Sequence, residues 1–335
     1  MPPFRSDPDG HDHPRDALLE AVELAAHDAA IAALPAPRPT GRDDELLAAA
    51  MGRRPRGRAT EPGPDERIDE VESFRRTVAE IDASLATLDS SGWLAPVPTY
   101  GRVRDLVAHL IGIEAYVGAQ LGLGPAPTPA ALAADLVGLT EALVAASRFI
   151  STDTLLHTWR ARTTAVLAAV VAPTVDLDAP AQWHGQAVRV RDLLVIRTFE
   201  LWTHTDDVRT AVGATLTTPD GGRLLLMTGL ALHLLPTGID RVGRAHPRRT
   251  ARVVLTGAGG GAWTVPLGAV TAAPITTAPI TTDEAAPDVL LVADATDFCR
   301  VAANRLRADD LVAHVEGDPA LAEAVLTGSA AFALD

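Results

Sequence analysis

Between residues 66 and 89, apolar side chains recur at three- and four-residue steps: Ile68, Val71, Phe74, Val78, Ile81, Leu85 and Leu88. Steps of that size line one face of an α-helix, and a stripe that long has to be covered by other helices. The texture returns over residues 102–121, 129–149, 152–171, 190–212 and 219–235, between breaks rich in Pro and Gly. Residues 129–149 and 152–171 read as one long helix or two that abut. The spacing therefore predicts a helical bundle. Aromatic residues are 4% of a chain that is 47% apolar, so its core must be built mainly from Ala, Leu and Val. Ala and Leu favour the helix further. Ahead of the bundle, residues 1–14 are polar and Pro-rich and predicted to be disordered. Residues 15–34 and 42–52 are predicted short helices, and 53–65 is a charged Pro/Gly linker.

The texture changes after residue 250. Residues 252–267 (RVVLTGAGGGAWTVPL) alternate apolar and polar around a glycine run, which predicts a β-hairpin. The run Gly257–Gly261 lacks the strand–loop–helix context of a phosphate cradle and is read as the hairpin turn. A strand, a helix, a short strand (LVAHVEG) and a final helix follow. The predicted fold class is α+β: an extension over 1–65, a helical bundle over 66–240 and a small α+β domain over 250–335. A weak repeat runs through the bundle, since Val103-Arg104-Asp105-Leu106 opens one helix and Val190-Arg191-Asp192-Leu193 another. It implies two helix pairs about a pseudo-twofold axis.

The net charge of −14 disfavours a duplex nucleic-acid binder, which needs a basic face. The lone Cys299 excludes an internal disulfide and is read as buried packing. The N-terminus has no apolar run, and the longest apolar stretches are broken by charge before the roughly 18 residues that span a bilayer. The expectations are a cytoplasmic protein with no nucleic-acid or membrane partner, and a monomer.

Three residues carry the chemistry. His109 sits beside the apolar neighbours Leu106, Val107, Leu110 and Ile113. Alone it would be a hydrogen-bonded core histidine more often than a ligand. Glu200 and His204 stand four apart on a predicted helix, so both project from one face. They are either an ion pair or two ligands of one metal ion. Phe199, Leu201 and Trp202 make the helix apolar on several sides, which weakens the solvent-facing reading. A His₂Glu set leaves one coordination position open, the pattern of a catalytic zinc site. Asp207, three residues further on, is either a hydrogen-bond acceptor supporting the site or a surface charge. Trp183 and His184 are read as lining the site mouth or as a structural loop. His11 and His13 lie in the predicted disordered tail.

The run from Arg102-Val103-Arg104-Asp105-Leu106 to His109 and Glu114, followed by Glu200-Leu201-Trp202-Thr203-His204 and Asp207, resembles the mycothiol-dependent maleylpyruvate isomerase family. Trp93-Leu94-Ala95-Pro96 resembles the loop preceding the family's first ligand helix. The resemblance covers about residues 70–240 and implies a DinB-like four-helix bundle. Asp294–Arg300, Ala303–Leu306 and Glu316–Asp318 resemble the sterol-carrier-like domain often fused to such bundles. The resemblance implies His109, Glu200 and His204 as metal ligands, zinc as the metal and mycothiol as the thiol cosubstrate. It also implies an arginine reaching the site from the C-terminal domain, matched by Arg305. The expected activity is isomerisation or S-transfer on a small electrophile. The alternative is a non-catalytic metal- or ligand-binding protein with a lipid-carrier-like domain.

Overall fold

The computed structural model describes residues 67–123, 136–183, 186–268 and 286–332. The helices expected over 15–34 and 42–52, and His11, His13 and His184, lie outside the described residues. The chain is α+β, and it divides into two compact units.

Among the described residues, one unit comprises Asp89–Val175 and Gln182–Gln186. It opens where the sequence suggested only a loop. The long helix α1 (Glu70–Ala86) is followed by the short helix α2 (Ser90–Trp93), which is capped by the Asp89 carboxylate, an acceptor from Gly92 N at 2.8 Å. Strands β1 (Pro96–Val97) and β2 (Gly101–Arg102) then pair antiparallel and lead into α3 (Val103–Gln120). Helix α3 buries residues on all sides, from Val103 and Leu106 to Tyr116 and Val117. It packs against α4 (Leu136–Ser147) and α5 (Thr152–Val170), which are two helices and not one. The break is set by Ser151, whose hydroxyl accepts from Thr154 N and starts α5. Arg104 ties off the preceding turn by donating to Ser147 O and Ile150 O at 3.0 and 2.7 Å.

The second unit comprises the described residues up to Leu88, Asp176–Ala181 and Ala187 onward. Helix α1 packs against α6 (Val190–Ala211), and α6 against α7 (Gly221–Arg241). Strands β5 (Thr250–Thr256), β6 (Gly261–Pro266), β7 (Val289–Asp294) and β8 (Ala313–Gly317) form one sheet in the order β6-β5-β7-β8. β5 and β7 are parallel, and the other pairs antiparallel. Helices α8 (Ala295–Ala302) and α9 (Pro319–Ser329) join α7 over one face of this sheet. Alternate residues Val253, Leu255, Val289 and Leu291 meet Leu235, Ile239, Phe298 and Val325 there.

Helix α7 departs from expectation at its C-terminal end. It runs through Pro236 to Arg241, although proline removes a backbone donor, because Ile239 is needed in the core beyond it. It is also long and apolar enough to cross a membrane by length and composition, although charge at Arg223 and Asp240 bounds its apolar run, as the sequence reading expected. That apolarity serves the interior: 72% of its most apolar window is buried, with Leu224, Met227, Leu232 and Leu235 all covered.

The weak repeat has a structural counterpart. Strands β3 (Pro180–Trp183) and β4 (Gln186–Arg189) precede α6 as β1 and β2 precede α3. Val103 N donates to Ala95 O at 3.1 Å, and Val190 N donates to Ala179 O at 3.1 Å. Each acceptor alanine stands directly before the proline that opens a strand.

The glycine turn between β5 and β6 presses on α7. Gly259 has φ +68°, and a Cβ there would lie 2.3 Å from Leu224 Cβ and 2.6 Å from Leu225 N. Gly259→Ala therefore combines a strained backbone with overpacking. It is expected to lower stability by about 2–4 kcal/mol in denaturant melts.

His233 on α7 supplies a pH dependence. Burial, aided by the charge of Arg189, holds its pKa down at about 4. Below pH 6.5 the unfolded chain takes up a proton that the folded chain refuses. Stability from this group is thus full above pH 6.5 and lost as pH falls to about 4, by on the order of 3 kcal/mol. Asp192 acts oppositely: burial outweighs its bonds from Arg189 and raises its pKa to about 6, which favours the folded state as pH falls. Melts of wild type and His233→Gln across this range isolate the first effect. The variant is expected to resist acid better than wild type.

Candidate functional site

Helix α6 explains itself through its buried polar residues. Arg197, Thr198, His204, Thr205, Asp206 and Asp207 are all buried along it. Such groups stay charged or polar in an interior only when hydrogen-bonded or bound to a cation. The helix starts from a capping box, with Arg189 N donating to Asp192 Oδ2 at 3.2 Å.

One turn apart on α6, His204 Nε2 lies 4.0 Å from Glu200 Oε1. The other ring nitrogen, His204 Nδ1, lies 2.9 Å from Asp207 Oδ2. Asp207 is also gripped by Arg305, whose Nε donates to Oδ1 at 2.6 Å and Nη2 to Oδ2 at 2.8 Å. Burial pushes the Asp207 carboxyl up, but the bonds from Arg305 and His204 outweigh it and hold the carboxyl below its usual range. Asp207 is therefore a carboxylate that accepts from His204 Nδ1, and this contact turns His204 Nε2 toward Glu200. The neighbouring Asp206 goes the other way. Burial dominates there over the longer 3.3 Å contacts from Arg300 and raises its pKa.

Arg305 is aimed by its local backbone. Helix α8 ends at Ala303, and Asn304 adopts the left-handed region at φ +53°. Asparagine tolerates that region better than most side chains. Arg305 N then donates back to Arg300 O at 2.8 Å, and its Nη1 to Ala303 O at 2.9 Å. The two-point fork of Arg305 thus faces Asp207.

Two arginines that sequence reasoning passed over belong here. Arg197, 0% exposed, is ion-paired through Nη1 with Glu200 Oε2. Arg300 lies over Trp202 at 5.8 Å from the ring centroid, and Trp202 stacks on Phe199. The signal for Arg197 was its i,i+3 spacing from Glu200. Cys299 is fully buried beside Trp202, Leu224 and Met227, and burial pushes its thiol far up, so it serves as packing.

In the other unit, His109 lies on α3 among the buried Leu106, Leu110 and Ile113. The turn between β1 and β2 brings Tyr100 against it, with ring centroids 4.7 Å apart. Further along α3, Tyr116 Oη donates to Gln182 O at 2.8 Å, and the Trp183 ring meets Tyr116 edge-on.

Residues 74–209 match the family model described as the mycothiol maleylpyruvate isomerase N-terminal domain. Two solved structures of the mycothiol-dependent maleylpyruvate isomerase are similar in shape. One is at 15% identity with a TM-score of 0.49, and the other, a histidine-to-alanine mutant, at 13% with 0.48. Each comparison covers 73% of this chain and 91% of the other. No curated protein matches the chain.

Proposed function

We propose that this chain is a metal-dependent enzyme that uses mycothiol to isomerise, or to conjugate through sulfur, a small electrophilic substrate. The observation that carries the reading is that Glu200 and His204 stand one turn apart on α6, with His204 Nε2 4.0 Å from Glu200 Oε1, inside the segment that the family model matches; the resemblance adds His109 as the third ligand. Two imidazoles and one carboxylate suit a divalent ion of the zinc type and leave a position open. A cation held there would lower the pKa of a bound thiol, so that it is a thiolate at neutral pH.

The chain's own residues prepare that position. Asp207 fixes the His204 tautomer that presents Nε2, a supporting contact that ligand histidines commonly have. Arg305 holds Asp207 ionised and oriented. The proposal assigns Arg305 and Asp207 to the working centre, over the domain order 1–65, 66–240 and 250–335. It also takes the protein to be a cytoplasmic monomer.

The test is thiol-dependent turnover. The zinc-loaded full chain is incubated with mycothiol and a panel of activated alkenes, with isomer and adduct both measured. Turnover that requires both zinc and mycothiol is expected. Zinc binding without turnover of any electrophile would replace this reading with the binding protein.

A further inference from the structure

Glu200 has two carboxylate oxygens, and the structure treats them differently. Oε2 is ion-paired with the guanidinium of Arg197, one turn earlier on α6. Oε1 faces His204 Nε2 at 4.0 Å. Arg197 has 0% exposure, so its charge has been taken out of water and is compensated within the protein. A second carboxylate, Asp207, is likewise engaged by a guanidinium, that of Arg305. Two carboxylates and two arginines thus meet around His204.

We propose that Arg197 is the positioning residue of the metal centre: it withholds one oxygen of Glu200, so that Glu200 binds the cation through the other alone. This rests on the metal-site reading above. Carboxylates bind cations through one oxygen or two, and a second bound oxygen would fill a position that a thiol needs. A rigid fork on Oε2 fixes the one-oxygen mode, because the guanidinium is planar and always charged. The pairing also cancels the carboxylate's charge, which leaves the cation more electron-poor and favours an anionic ligand at the open position.

The experiment compares full-length wild type, Arg197→Lys and Arg197→Met, each loaded with cobalt(II). Visible absorption of cobalt falls as its coordination number rises. Wild type and Arg197→Lys are expected to share an intense, low-coordinate spectrum. Arg197→Met is expected to give a weaker band, with zinc affinity changed by about 10- to 100-fold, the range seen when supporting partners of metal ligands are altered. An unchanged spectrum and affinity in a folded Arg197→Met protein would overturn the proposal. If that variant does not fold, zinc X-ray absorption on wild type decides instead. A one-oxygen carboxylate is expected, and a two-oxygen carboxylate refutes the role of Arg197. Failure of wild type to bind either metal would instead refute the site itself.

Discussion

His204→Ala is expected to remove the bound metal and the thiol-dependent activity together, while the fold survives. The side chain directs Nε2 to Glu200, its partner in the proposed ligand set, and Nδ1 to Asp207. Without it the proposed ligand set keeps two members, too few for a closed or catalytic zinc site. Metal analysis of the purified variant should fall to background, and turnover with it. The fold is expected to hold because Asp207 retains both bonds from Arg305. Circular dichroism melts check that point. Full metal content in the variant would mean that the cation binds elsewhere.

Arg305→Met is expected to be the most destabilising of the charge changes around the site. It strips both strong donors from Asp207, a carboxylate that is 9% exposed. Breaking such a pair leaves an uncompensated charge and costs about 3 kcal/mol or more, where an exposed pair would cost little. The Asp207 carboxyl would then titrate higher, since Arg305 is the leading group opposing its burial. A protonated Asp207 would no longer favour the His204 tautomer that presents Nε2, and metal affinity should drop by about 10- to 100-fold. Adding Asp207→Leu to Arg305→Met should recover stability, because neither charge of the broken pair then remains, yet should not recover metal affinity. Urea melts and zinc titrations of the single and double variants separate the two effects.

Much of this was legible in the sequence, for reasons that are local. Glu200 and His204 sit on one face because four residues make about one helical turn, and Ile81 and Leu85 fall in the core for the same reason. The end of α6 before Gly213, at φ +68°, is equally local. Other features depend on what the chain meets after folding. Helix α7 passes Pro236 because Ile239 finds a core partner beyond it. The parallel pairing of β5 with β7 joins strands separated by many residues, and no short motif encodes it. The spacing of Arg197 and Glu200 was visible, but on an exposed helix it would be an ordinary ion pair. Only the burial of Arg197 turns it into a constraint on the carboxylate. Asp207 was open between support and surface for the same reason, and its place under His204 and Arg305 comes from two distant segments meeting.

The central claim is that residues 109, 200 and 204 close on one cation. Crystals of the zinc-loaded full chain, measured on both sides of the zinc absorption edge, test it without any assumption about substrate. The account expects a single anomalous peak at bonding distance from His109, Glu200 and His204. A peak bound by other residues, or none at these three with zinc in excess, would contradict it.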